Sequence, residues 1–167
     1  SSTDGKYNTI SGGYGGSASG EFNVIAGGAT NSVGTCYGSF NVVSGGGYNT
    51  ASNGYNNVVS GGKYNYVTNT SNTSVSGGYG NTASSGAHLT ISGGYFNFAD
   101  NGGGLTIGGG RENTISGGSE LTISGGYRNC ADSSANSIGG GKYNTLVQGG
   151  GLTISGGYYN FANNGYN

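Results

Sequence analysis

One apolar position returns every eight residues from one end of this chain to the other. It is occupied by Ile10, Ala18, Ile25, Val33, Val43, Ala51, Val59, Val67, Val75 and Ala83, then by Ile91, Ala99, Ile107, Ile115, Ile123, Ala131, Ile138, Leu146, Ile154 and Ala162. The steps are eight, except for two of seven and one of ten, the last within Asn31 to Phe40. A period held this long decides the architecture before any local propensity does. Alternate members of the series differ. Ile10, Ile25, Val43, Val59, Val75, Ile91, Ile107, Ile123, Ile138 and Ile154 are all β-branched, whereas the intervening ten are mostly Ala. The structural unit is therefore about sixteen residues, made of two halves that face different surroundings.

Side chains alternate faces along a strand, so the residue two before each apolar position shares its side. In the Ala-type halves this is Asn at 31, 49, 65, 81, 97, 113, 129, 144 and 160, with Gly16 the exception. In the Ile-type halves Asn8, Asn23, Asn41, Asn57 and Asn136 give way to Leu89, Leu105, Leu121 and Leu152, with Thr73 between them. Two structural roles suit these asparagines. Stacked amides at a strand spacing of about 4.8 Å can satisfy one another in a ladder, or Asn can occupy a left-handed corner. A coil of two short strands must reverse every eight residues, and the pairs Gly12-Gly13, Gly61-Gly62, Gly93-Gly94 and Gly156-Gly157 supply the backbone angles for that.

Gly, Asn, Ser and Thr dominate and the apolar spacing is far from 3.6, which excludes helix. The expected fold is all-β: a parallel β-solenoid of two short strands per coil and about ten coils, one domain over residues 1–167. At one strand spacing per coil this gives a rod about 50 Å long, each coil touching only its neighbours. An Ile or Val facing an Ala suits a thin interior.

Composition taken alone points elsewhere, since 41 of 167 residues are Gly and 7% are charged, a profile common in disordered chains. The 14 Tyr and 5 Phe and a net charge of −1 argue against disorder. So small a charge gives no reason to expect nucleic acid or an anionic membrane as partner, and no apolar stretch is long enough to span a bilayer as a helix. The chain opens at Ser1 without a signal-like segment, which reads as a processed or excised product. Its low charge and its Gly, Ser, Thr, Asn and Tyr content suit a rigid extracellular or cell-surface protein.

Stretches such as GYNNVVSGGKYNYV (54–67) and GAHLTISGGYFNFA (86–99) resemble the head repeats of trimeric autotransporter adhesins, and the resemblance covers essentially the whole chain. It implies a left-handed parallel β-roll, three chains side by side, and a bacterial surface location where the head meets host or matrix ligands. The resemblance is to the head alone.

The outward position beside each core residue supplies candidate partner surfaces. Val24, Val42 and Val58 interrupt a column of Thr9, Thr90, Thr106, Thr122 and Thr153 with Ser74 and Ser137 on the Ile-type side. Tyr66, Phe98 and Phe161 stand out among Thr50, Thr82, Thr114, Cys130 and Thr145 on the Ala-type side. Large apolar residues pointing out of a thin roll mark lateral packing with other copies of the chain, as a trimer or a filament, or ligand capture. Tyr48, Tyr64, Tyr79, Tyr95, Tyr127, Tyr143 and Tyr158 follow the glycine corners and are expected to form one column along an edge, which either stabilises that edge or offers an aromatic strip to glycans. The Thr and Ser columns raise ice binding as another alternative. Asn69 and Asn72 head formal N-glycosylation triplets. Neither end of the repeat carries a recognisable cap, and bare strand edges favour end-to-end growth.

Catalysis is not expected, and neither is a cofactor or metal. His88 is the sole histidine. Cys36 lies about three coils from it, roughly 15 Å, too far for a nucleophile and base. Asp100 and Asp132 occupy equivalent positions about 10 Å apart, too far for a shared metal or a retaining pair of carboxylates. No zinc-type spacing appears, and Gly61-Gly62-Lys63-Tyr64 lacks the spacing and hydroxyl of a phosphate loop. Cys36 and Cys130 fall about six coils apart, nearly 30 Å, which forbids a disulfide between them.

Overall fold

The computed structural model of the chain describes residues 2–34 and 40–165. It is a β-solenoid of two parallel sheets. One has eleven strands, running from Ser2–Thr3 to Phe161–Gly165, and the other ten, from Thr9–Ile10 to Thr153–Ile154. Successive strands of the chain belong alternately to the two sheets, and each pairs in parallel with the strand one coil before and one coil after. Most strands are two or three residues long, and the longest, Tyr66–Ser71 and Thr82–Ala87, have six. Segments this short form sheets because each, the end strands apart, is paired on both sides by an equivalent strand about sixteen residues away, so pairing and not strand length supplies cooperativity.

The eight-residue series maps onto the interior. Ala18, Val33, Ala51, Val67, Ala83, Ala99, Ile115, Ala131, Leu146 and Ala162 line the eleven-stranded sheet, and the β-branched series lines the ten-stranded one; all are buried except Ile10 and Ala162, which are partly buried. Register survives every irregular step: Ile10 pairs with Ile25 and Ile123 with Ile138 across fifteen residues, and Ile25 with Val43 across eighteen. The added length in the ten-residue unit, with Cys36, lies outside the described residues.

Of the two roles considered, the row asparagines take the ladder one, and the left-handed conformation falls to the residue before each. In the Ala-type row each Asn side-chain oxygen accepts the backbone N–H of the next Asn, as in Asn97 N–H to Asn81 Oδ1 at 3.0 Å and Asn113 N–H to Asn97 Oδ1 at 3.0 Å. Its Nδ2 donates chiefly to glycine carbonyls of the neighbouring corners, for Asn97 to Gly93 O at 2.9 Å and Gly110 O at 3.0 Å, with a longer amide-to-amide contact of 3.2 Å to Asn81. The ladder is thus mainly amide to backbone. The left-handed residue is the one before it: Tyr48, Tyr64, Phe96, Glu112, Arg128, Tyr143 and Tyr159 all have φ between 51° and 57°. In the Ile-type row the same ladder runs through Asn8, Asn23, Asn41 and Asn57 to Thr73, whose hydroxyl accepts the Leu89 N–H at 3.4 Å, and resumes at Asn136, which accepts the Leu152 N–H at 2.9 Å. Leu89, Leu105 and Leu121 then replace amides with fully buried aliphatic carbon, trading hydrogen bonds for apolar burial on one side of the core.

The glycine pairs divide into unequal members. The second of each, such as Gly94 (φ 93°), sits where a Cβ would lie 2.1 Å from the carbonyl oxygen of Gly110 in the next coil. Backbone stacks on backbone there, and no side chain fits. Gly12, by contrast, has open space around it and no left-handed φ.

Candidate functional site

With the interior closed, chemistry is confined to four outer surfaces: two sheet faces and two corners. The corner leading from the ten-stranded to the eleven-stranded sheet holds the seven tyrosines, in two adjoining rows and not the single column expected. Tyr79, Tyr95, Tyr127 and Tyr158 lie in a row joined by parallel bridges that also includes Lys63, Arg111 and Lys142. Tyr48, Tyr64 and Tyr143 lie in the left-handed row, with Phe96, Glu112, Arg128 and Tyr159. Adjacent residues in sequence fall into different rows, and that step separates the tyrosines.

Rings stack within a row and meet edge-on between rows. Tyr79 stacks on Tyr95 (5.3 Å, 15°), Tyr48 on Tyr64 (5.0 Å, 26°) and Tyr143 on Tyr159 (4.7 Å, 13°), whereas Tyr64 meets Tyr79 at 77° and Phe96 meets Tyr95 at 85°. Cations fill the same lattice. Lys142 lies over Tyr127, Tyr143 and Tyr158 at 5.0–5.7 Å, Lys63 over Tyr64 at 4.9 Å, Arg111 over Tyr95 at 5.2 Å and Arg128 over Tyr127 at 5.1 Å. These are cation–π distances. Glu112 joins Arg111 at 2.9 Å and also pairs with Arg128. The hydrogen bond from Arg128, then that from Arg111, holds the Glu112 carboxyl below its ordinary value. Partial desolvation pushes the Tyr143 phenol upward, but hydrogen bonds from Arg128 and Tyr127 and the charges of Arg128 and Lys142 outweigh it and hold the group below its ordinary value.

One break in the left-handed row makes a recess. Gly80 stands where Tyr64 and Phe96 flank it, and a Cβ there would meet the Phe96 ring at 2.5 Å. The result is a cleft of about 290 Å³ lined by Tyr64, Tyr66, Tyr79, Gly80, Thr82 and Phe96. Tyr66 reaches it from the outer face of the eleven-stranded sheet. Phe96 and Gly80 had no place in the tyrosine column; the sequence signal was there in the spacing, because both precede the ladder asparagines Asn97 and Asn81.

The candidate partner residues occupy two faces that point in opposite directions. Val24, Val42 and Val58 pair in consecutive strands of the ten-stranded sheet and are half-buried. Ser74, Thr90, Thr106, Thr122, Ser137 and Thr153 continue that row without a break. Tyr66, Phe98 and Phe161 project from the eleven-stranded sheet with Thr82, and farther on Thr114, Cys130 and Thr145, between them. Burial, then the charge of Asp132, pushes the Cys130 thiol up.

The opposite corner carries a second aromatic stack that the tyrosine spacing did not indicate, Tyr7 on Phe22 on Phe40 at 4.8 and 4.9 Å. Farther along it are Asn72, whose oxygen accepts from Asn56 at 3.2 Å, and His88, both exposed and both in the left-handed row. Asn69 is exposed within the strand Tyr66–Ser71 and lines a recess of about 460 Å³ with Asn53, Gly54, Tyr55, Thr70 and Ser71. Thr70 and Thr73, the hydroxyl residues next to Asn69 and Asn72, are buried. Asp100 and Asp132 are separated by Ser116 in the strand register, and Asp100 accepts a hydrogen bond from Ser84 at 2.6 Å. Among the described residues no three His, Cys, Asp or Glu side chains gather in a metal-binding group. No protein-family model matches the chain, and neither does any characterised protein.

Proposed function

We propose that the chain is a non-catalytic extracellular rod that packs side by side with copies of itself, as an adhesive head or a fibre subunit. The observation that carries this reading is the valine row. Val24, Val42 and Val58 lie in three successive strands on the outside of a sheet whose interior is already sealed, with no unpartnered buried side-chain nitrogen or oxygen among the described residues. Half-buried valine there leaves apolar surface facing water, and a second rod laid against the row would remove it. The resemblance to adhesin heads, in which chains lie side by side, agrees with it.

Light scattering after size exclusion, with negative-stain microscopy, tests the reading. Assemblies of parallel rods that dissociate in Val42→Asp are expected; discrete monomers at every concentration overturn it. A second reading, ice binding, draws on the unbroken hydroxyl row from Ser74 to Thr153, although the position two residues on is interrupted by Gly108 and Gly139. Thermal hysteresis lost in Thr106→Val would support it, and its absence from the parent rod would remove it.

A further inference from the structure

The charges of this nearly neutral molecule are sorted across the rod. Four of its five cationic side chains, Lys63, Arg111, Arg128 and Lys142, lie on the tyrosine corner, against a single carboxylate, Glu112. The other five acids lie elsewhere. Glu21 and Glu120 are on the opposite corner, and Asp100 and Asp132 end strands that lead into it. A net charge of −1 therefore hides a basic edge and an acidic edge. The two arginines are partly neutralised by Glu112, but Lys63 and Lys142 have tyrosine rings around them and, among the described residues, no carboxylate within ion-pair reach.

We propose that this edge binds an extended acidic polysaccharide lying parallel to the rod axis. Three features of the edge suit that occupant together. The cations are spread over six coils, from Lys63 to Lys142, about 24 Å at one strand spacing per coil, so they address a chain and not a single anion. The repeat of about 4.8 Å along the rod is close to the advance per sugar of an extended β-linked polysaccharide, so successive sugars meet equivalent positions. The cleft at Gly80 offers aromatic walls with a threonine hydroxyl and phenols at hand, the combination that takes the apolar face of a pyranose and its ring hydroxyls. Its volume of about 290 Å³ admits a sugar ring and is too small for a folded protein segment. Lys63 stands beside this cleft on Tyr64.

This names a ligand class for the adhesive side of the proposed function and does not depend on lateral packing: a rod that ignores polysaccharide can still assemble, and the assembly assay reports that separately. The test is calorimetric titration of the intact chain with hyaluronate and chondroitin sulfate, both β-linked and acidic, and with cellohexaose and double-stranded DNA as controls. Binding of an acidic polysaccharide at least about tenfold tighter than either control, weakening as salt is raised, is expected; hyaluronate carries carboxylates alone and chondroitin sulfate carries carboxylates and sulfates, so any tighter binding of the latter measures what sulfate adds. Lys63→Gln with Lys142→Gln, checked for an unchanged β-sheet spectrum and melting temperature, should lower that affinity about tenfold. Glu21→Gln with Glu120→Gln, on the other edge, should leave it unchanged. Cellohexaose or DNA bound as tightly as the acidic polysaccharides, an unaltered lysine double variant, or tighter binding in the glutamate variant would each overturn the proposal.

Discussion

At the scale of single residues, the fold depends on two kinds of position that look alike in composition and differ in cost. Gly94 and Gly12 both belong to corner pairs, yet a methyl group at Gly94 would collide with the Gly110 carbonyl oxygen at 2.1 Å, and one at Gly12 meets nothing within 4 Å. Gly94→Ala should therefore cost more than about 4 kcal/mol. Gly12→Ala should be neutral or stabilise by up to about 1 kcal/mol, through reduced freedom of the unfolded chain. Denaturant titration of the two variants compares them directly. The ladder amides are the other costly kind. Asn97→Ala strips the Asn113 N–H of its acceptor and the Gly93 and Gly110 carbonyls of a donor, and should cost about 2–4 kcal/mol by the same measurement. The apolar series and the Asn row were legible in the sequence because a period of two along each strand fixes which side chains share a face. The left-handed residue before each Asn was not, since Tyr, Phe, Glu and Arg rarely adopt that conformation and nothing in their identity announces it.

Between neighbouring coils, the element is the row, and rows couple residues that the sequence keeps sixteen apart. The charged part of the tyrosine edge shows this most clearly. Glu112 is held below its ordinary pKa by Arg128 of the next coil first, and by Arg111. A carboxylate with a lowered folded-state pKa adds stability at pH values above its unfolded pKa, and that contribution fades as pH falls through the lower, folded value. The parent rod should thus lose a small increment of melting temperature between about pH 5 and pH 3 that Glu112→Gln lacks, small because the pair is exposed to solvent. This edge was only half legible. The recurrence of Tyr after each corner was plain, but a one-residue offset sends neighbours into different rows, and only the backbone bridges reveal that Tyr64 and Tyr79 meet edge-on while Tyr79 and Tyr95 stack. The cleft depended on the same offset, with Gly80 as the missing tooth.

For the molecule as a whole, each coil contacts its neighbours and little else, so length is a free variable provided the sixteen-residue register is kept. Removing residues 83–98 joins Thr82 to Ala99, which Ala83 already faces in the adjacent strand, and the shortened chain should fold to a rod with one coil fewer and an undiminished β-sheet spectrum per residue. Removing only 83–90 delivers Ile91, a residue of the ten-stranded sheet, into the alanine-lined sheet. From that point every later half-coil is in the wrong sheet, and circular dichroism should show loss of cooperative melting.

The ladder also has a direction. Each side-chain oxygen accepts the amide of the coil that follows it in sequence, Asn49 from Asn65, Asn65 from Asn81, Asn81 from Asn97, so a completed turn always presents a waiting acceptor to the segment made next. A ribosome releases the polypeptide in that same order. Winding can then keep pace with synthesis, with every new turn seated on a finished template and no need for the far end of the chain to exist.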